Sequence, residues 1–260
     1  MTTTASDAIR TTTTATWVGG PTLRFTYAGL TFLTDPTFDD APADYEGRTT
    51  LHKLVGPGVR VEDIGHLDVV LLSHDQHADN LDVAGRALLA TVPAVLSTPD
   101  AAERIPGVRG LAPWEQVVLA DDVRVTAVPA RHGPEGAEAL SGEVTGFVLE
   151  APGERTVYVS GDNASLDVLD QVARRFERIE LAVLFVGGAN VGRFGAEPLT
   201  LDAPRAAAAA ALLPLATVVP VHHTDWAHFV DPLSAVQDRF AAIGASDRLV
   251  VLGRGEPTAL

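Results

Sequence analysis

Residues 67–82 read LDVVLLSHDQHADNLD. The opening six, Leu67 to Leu72, form a nearly continuous apolar run. A run without polar alternation predicts a strand buried on both faces, as in the sheet of an α/β protein. It stops abruptly at Ser73, where His74, Asp75, His77, Asp79 and Asn80 crowd into eight residues. Leu81 to Thr91 then predicts a helix. The end of a buried strand, just before a helix, is where open α/β sheets place their chemistry.

The same punctuation recurs downstream. Val123 to Val128 predicts a strand that ends at Pro129-Ala130-Arg131-His132. Val144 to Leu149 and Thr156 to Ser160 read as paired strands joined through Pro152-Gly153, and the second ends at Gly161-Asp162. Leu181 to Val186 is another buried run, and Thr217 to Val221 ends at His222-His223. Upstream, Ala15 to Val18, Thr22 to Tyr27 and Leu30 to Thr34 are β-like, with glycine-bearing turns between them. Ser165 is placed to cap a helix whose Leu166, Leu169, Val172, Ala173, Phe176 and Ile179 recur with a 3.6-residue period. Asp202 to Leu213 predicts an alanine-rich helix with an aspartate cap, Pro232 to Ile243 the last helix and Arg248 to Leu252 the last strand. The fold class is therefore α/β (α+β), with two sheets in one domain over residues 15–260. Residues 1–14, MTTTASDAIRTTTT, read as a disordered threonine-rich tail; they have no apolar stretch of the signal-peptide kind.

Composition narrows the chemistry. The chain has 34 acidic residues against 19 basic ones, a formal net charge of -15. Such a surface repels phosphate backbones and anionic bilayers, so neither nucleic acid nor membrane is an expected partner. The apolar run from Ala206 to Val219 is too short to span a bilayer and contains Pro214. There is no cysteine, which excludes disulfides, thiolate catalysis and cysteine-ligated zinc. A cytoplasmic protein with a small-molecule substrate is expected; no feature specifies an oligomeric state. Any transition-metal site must be built from His, Asp, Glu and Asn.

Five of the eight histidines, His74, His77, His132, His222 and His223, follow predicted strands, as do Asp79 and Asp162. Strand ends distant in sequence can converge in space. Imidazoles and carboxylates meeting at one point make a nitrogen–oxygen site suited to zinc, manganese or iron. A single strand-end histidine is more often a solvated or hydrogen-bonded residue; the number and arrangement here favour ligation. Arg131 and Arg193 are candidate anion contacts, weighed against the commoner fate of an exposed arginine in solvent. Asp35 is read as a turn cap or a brace for a ligand. Trp226 and Phe229 are read as loop packing, and His52 and His66 as surface or structural residues.

Several stretches resemble the metallo-β-lactamase superfamily. ATWVGGPTLRFTYAGLTFLTDPTF (residues 15–38) is similar to its opening, and the Thr34-Asp35-Pro36 turn to the branch containing ascorbate-phosphate lactonase. LLSHDQHADNLD (residues 71–82) resembles the HxHxDH metal motif, PARHGP the segment of the next histidine, VSGDN that of a bridging aspartate, and VPVHHTDWAHF that of the last histidine. The resemblance implies a four-layer αββα sandwich and a metal-dependent hydrolase of a lactone, ester, amide or phosphodiester. It implies one or two divalent ions, zinc foremost, with manganese or iron also suited. One ion would be held by His74, His77 and His132, a second by Asp79 and His222, with Asp162 bridging and Asp79 or Asp162 handling the proton of the attacking water. The motif is irregular. Read from its right end, it puts Asp75 in the first position; with one residue inserted, it puts His74 there, the better ligand for a borderline metal. Asn80 stands where the motif has histidine, a weaker second-metal ligand, and His223 stands where relatives carry an aromatic residue. A metal-poor, non-catalytic binding protein that retains the fold is the alternative.

Overall fold

A computed structural model describes residues 12–260. The run at Val69–Leu71 is a strand, flanked in parallel by Leu30–Thr34 and Ala94–Ser97. It belongs to a seven-stranded sheet that continues through Thr22–Tyr27 and Thr14–Gly19 to Pro257–Ala259 on one side, and to Val108–Gly110 on the other. A six-stranded sheet runs from Thr217–Val221 through Ile179–Phe185, Thr156–Val159, Thr145–Glu150 and Arg124–Pro129 to Gln116–Val118. Its first three strands are parallel.

Alternation of side chains along each strand divides the apolar residues among three layers. Val69 and Leu71 join Phe25, Phe32, Phe147 and Val183 in the core between the sheets. Val70 and Leu72 point the other way, against Leu81, Leu89 and Ile105 of the helical layer Val83–Leu89 and Pro99–Arg104. In the second sheet Leu181, Val183 and Phe185 face the central core, whereas Ala182 and Leu184 face the helices Leu166–Arg175, Ala203–Leu212 and Leu233–Ala242. The small alanines at 206, 207, 209 and 210 let the middle helix lie close on the sheet. Helix, sheet, sheet, helix: the expected four-layer αββα sandwich is present.

The expected helix caps are present too. Ser165 accepts from Val168 N, and Asp202 accepts from Arg205 N, satisfying amides that the first helical turn leaves unpaired. Three boundaries need correction. The helix after Ser165 ends at Arg175, and Ile179, expected on its apolar face, opens the strand Ile179–Phe185 instead. The expected tail reaches too far: Thr13 is buried and Thr14 opens a strand paired with Ala259, while residues 1–11 lie outside those described. Arg248 to Leu252 is not a strand. A 3₁₀ turn covers Ser246–Arg248, one bridge joins Leu249 to Val218, and the chain runs on without a ladder, Leu252 buried in the central core and Val251 exposed. The closing strand is Pro257–Ala259, a short polar segment that acquires strand character only from its neighbour Thr14–Gly19. Among the described residues no helix is long and apolar enough to cross a membrane.

A two-stranded hairpin, Ala43–Tyr45 with Leu51–Lys53, stands over the ends of the sheets. Lys53 is almost fully buried, and its Nζ lies 2.9 Å from Asp82 Oδ2 and 5.6 Å from the Trp226 ring centre. Tyr45 packs on the same indole at 5.3 Å. Asp82 also caps the helix Val83–Leu89, so the hairpin is tied to the loop carrying His74 to Asn80. Gly85 in that helix lies under the Asp35-Pro36 turn: a Cβ there would come 1.8 Å from the Pro36 carbonyl oxygen.

Candidate metal centre

Four strands of the two sheets deliver the candidate residues to one place. His74, His77 and Asp79 follow Val69–Leu71, His132 follows Arg124–Pro129, Asp162 follows Thr156–Val159, and His222 follows Thr217–Val221. Thr145 N donates to Ser73 O at 3.0 Å, stitching the sheets together here. Gly161 makes the approach possible. It is left-handed (φ 56°), and a Cβ would come 2.6 Å from Thr145 O and 2.8 Å from Ser73 Cβ. His222 also adopts a left-handed φ of 58°, a strained backbone for a non-glycine residue, fixed by its amide donating to Gly20 O at 2.7 Å.

The side chains form two clusters, in each of which the ligand atoms lie within 4.8 Å of one another: His74, His77 and His132; and Asp79, Asp162 and His222. In the first, His74 Nε2 and His77 Nδ1 are 2.9 Å apart; two ligands of a tetrahedral ion at 2.0–2.1 Å would be separated by roughly 3.3 Å. In the second, His222 Nε2 lies 3.4 Å from Asp162 Oδ1 and 3.6 Å from Asp79 Oδ2. Asp162 also faces the first cluster, with Oδ2 3.5 Å from His132 Nδ1.

Outer hydrogen bonds set the tautomers. The single hydroxyl hydrogen of Ser73 goes to Asp35 Oδ2 at 2.7 Å, so Ser73 Oγ accepts from His74 Nδ1 at 2.9 Å. His74 Nε2 then presents its lone pair to the cluster. His132 Nδ1 donates to Leu199 O at 2.8 Å, leaving Nε2 as its ligand atom. Burial, followed by the neighbouring His77, pulls His74 down to about 3; burial, followed by His132, pulls His77 down to about 4. Both imidazoles are thus neutral near pH 7, as ligation requires. Burial opposes ionisation of Asp79 and Asp162, but the adjacent histidines overcome it and hold both carboxyls below their usual range. Asp35 goes the other way. Its complete burial raises it to about 7 despite two hydrogen bonds from Ser73 and one from Asn80.

A metal fits these residues. Asp79 Oδ1, Asp162 Oδ2 and both ring nitrogens of His222 are buried with no hydrogen-bond partner. Orphaned polar atoms are rare in protein interiors, and here several meet at one point. The donor set is imidazole and carboxylate, which suits a divalent transition metal.

The three less certain candidates fall outside the clusters. Asp75 points away and is clasped by Arg104, with Nη2–Oδ1 at 2.6 Å, so His74 supplies the first imidazole. Asn80 does not stand in for a histidine: its Nδ2 donates to Asp35 Oδ2 and Asp162 Oδ1, both at 3.0 Å, and so links two carboxylates. His223 lies on the Trp17 ring at 4.9 Å and is hydrogen-bonded to Thr224. His228 emerges instead. Its Nε2 sits 2.9 Å from Asp79 Oδ2. Its only sequence signal was a place on the loop after His222. Asp35 braces the site, one of the two roles expected of it, whereas Arg131 is turned toward Ser165 Oγ.

The clusters form the floor of a cleft of about 720 Å³ that His77, Asp79, His132 and His228 line. Its walls come from the hairpin segment 44–51, the segment 139–142 and the segment 189–199. Against this geometry, the family model described as a beta-lactamase superfamily domain matches residues 31–223. The chain belongs to the metallo-β-lactamase superfamily. Among its relatives within that superfamily, a UPF0173 metal-dependent hydrolase of Pyrococcus abyssi is 28% identical over 200 residues, covering 75% of this chain and 82% of its own. Two solved structures share the fold at a TM-score of 0.82. One, the isothiocyanate hydrolase from Delia radicum gut bacteria, is 24% identical and covers 95% of this chain and 99% of its own. The other, a possible metal-dependent hydrolase from Veillonella parvula, is 18% identical and covers 96% and 100%. Superfamily membership and the paired His/Asp clusters make this chain an enzyme, a metal-dependent hydrolase that binds divalent metal.

Proposed function

We propose that the chain hydrolyses a small molecule with an ester, lactone, amide or phosphodiester bond, using two divalent ions, zinc foremost. The observation that carries this is the pair of adjacent buried clusters, with unpartnered ligand atoms, at the floor of one cleft. His74, His77 and His132 would hold one ion. Asp79 and His222 would hold the other, with Asp162 between the two. A divalent ion in this setting supplies Lewis acidity, polarising the scissile oxygen and lowering the pKa of water from about 15.7 to about 7.

The protein's own groups do the rest. Asp79 is buried and ionised, and its Oδ2 is occupied by His228. Oδ1 is the atom left to hold the second ion and to orient the attacking water beside it, whose proton the carboxylate would accept. Asp162 is oriented by Asn80, and Asn80 by Asp35, so a carboxylate at the centre of the site has little freedom to rotate. The cleft's volume suits a small molecule. Its acidic surface fits a small-molecule role in the cytoplasm better than nucleic-acid work.

Metal content per chain, measured by mass spectrometry on protein purified without chelator, tests this. Two ions per chain are expected, falling below one in His132→Ala with loss of turnover on a panel of lactones, esters, amides and phosphodiesters. Full occupancy in His132→Ala would show that the histidine cluster does not hold the metal.

A further inference from the structure

The sequence presents Arg131 and Arg193 alike as candidate anion contacts, but the structure separates them. Arg131 donates to Ser165 Oγ and faces the cap of the helix Leu166–Arg175. Arg193 lines the cleft above the metal centre.

Two observations bear on what Arg193 does there. First, it is held in place. Its segment is closed at the base by Leu199 N donating to Ala189 O at 2.7 Å, and within by Gly192 N donating to Asn190 Oδ1 at 2.7 Å and Asn190 Nδ2 to Gly195 O at 3.0 Å. Arg193 Nη1 reaches across to Leu140 O on another wall at 3.1 Å. A guanidinium has five N–H donors, and this contact uses one. Second, its charge is unanswered. No carboxylate lies within salt-bridge distance of Arg193 among the described residues, in a chain whose formal charge is -15. A second arginine, Arg48, lines the cleft from the hairpin, on a stretch that also carries Asp44 and Glu46.

A planar cation fixed at the mouth of a cleft, with donors to spare and no acidic partner, is built to receive an oxyanion. We propose that Arg193 anchors an anionic group of the substrate, a carboxylate or a phosphate, set apart from the bond that breaks. The substrate is thereby a small molecule that carries an anionic group besides its scissile bond. This rests on the hydrolase reading above, but the anchor can be tested without turnover.

The test is calorimetric binding of benzoate, phenylphosphonate and neutral benzamide to the metal-loaded enzyme, to Arg193→Ala and to Arg193→Lys, with metal content checked in each. Binding of at least one anion should weaken about tenfold in R193A, the scale of a lost charge-assisted hydrogen bond, with partial recovery in R193K. Benzamide should bind all three proteins alike. The stronger of the two anions identifies the preferred oxyanion. Anion binding at wild-type strength in R193A would mean that the metal centre alone holds the anion, and it overturns the proposal. So does an equal loss for benzamide. A hydrolysis panel with no turnover would sink the hydrolase reading while leaving the binding result intact.

Discussion

Removing the buried ammonium of Lys53 should destabilise the protein more than any surface change. Its side chain is 2% exposed and that of its partner, Asp82, is 0% exposed. Lys53→Met keeps most of the apolar stem but strands a carboxylate in the interior. Breaking a buried pair by deleting one partner costs about 3–5 kcal/mol. Asp82 retains two backbone donors, Asp39 N at 2.7 Å and Gly85 N at 2.9 Å, which place the loss at the lower end, about 3–4 kcal/mol. For a chain of this length each kcal/mol lowers Tm by roughly 2–4 °C, so the expected fall is about 6–16 °C. Adding Asp82→Asn should return part of this, because asparagine still caps the helix Val83–Leu89 and carries no charge. The assay is thermal and urea unfolding of wild type, K53M, D82N and K53M/D82N at fixed metal occupancy, since metal binding itself raises apparent stability. A K53M protein within about 1 kcal/mol of wild type, or a double mutant less stable than K53M, would refute the reasoning.

Two further outcomes follow from the outer hydrogen bonds. Ser73→Ala removes the group that fixes the His74 tautomer, and metal affinity by chelator competition should fall about 10–100-fold; unchanged affinity would show that Ser73 is only a neighbour. Arg104→Ala should change acid stability through Asp75. Burial pushes that carboxyl up, but Arg104, assisted by Arg86, holds it below its ordinary value. A depressed folded pKa stabilises the fold above about pH 4 and loses that contribution as pH falls through the lowered value. The gap between wild type and R104A should therefore be widest at neutral pH and close in acid; a gap that persists unchanged in acid refutes the coupling.

The strands that carry ligands were legible because each is a continuous apolar run ended by ionisable residues, as at Leu71 to Ser73 and Val221 to His222. The caps at Ser165 and Asp202 were legible because capping is local. What escaped was non-local. Pro257–Ala259 is a strand only because Thr14–Gly19 lies beside it, and Ala94–Ser97 and Val108–Gly110 are too short to show a period. At the site, the choice between His74 and Asp75 was settled by Arg104, 29 residues from Asp75 in the chain, and the role of His228 by Asp79, 149 residues away. Asn80 looked like a degraded ligand because a motif records residue types but not the direction of an amide. The structure shows its nitrogen shared between Asp35 and Asp162.

The cleft has a rigid floor and separable walls, and this difference bears on how such an enzyme can change its diet. Metal-facing residues are borne on strand ends bolted across two sheets, and at Gly161 and Gly85 the packing does not admit even one extra methyl group. The walls at 44–51 and 189–199 are excursions beyond the sheets, held by their own contacts and not by the ligand-bearing strands. Insertions or substitutions at their tips can therefore alter what enters the cleft without shifting the ligand atoms beneath. For directed evolution, diversity belongs at 46–50 and 190–198, and the segment 73–85 is best left as it stands.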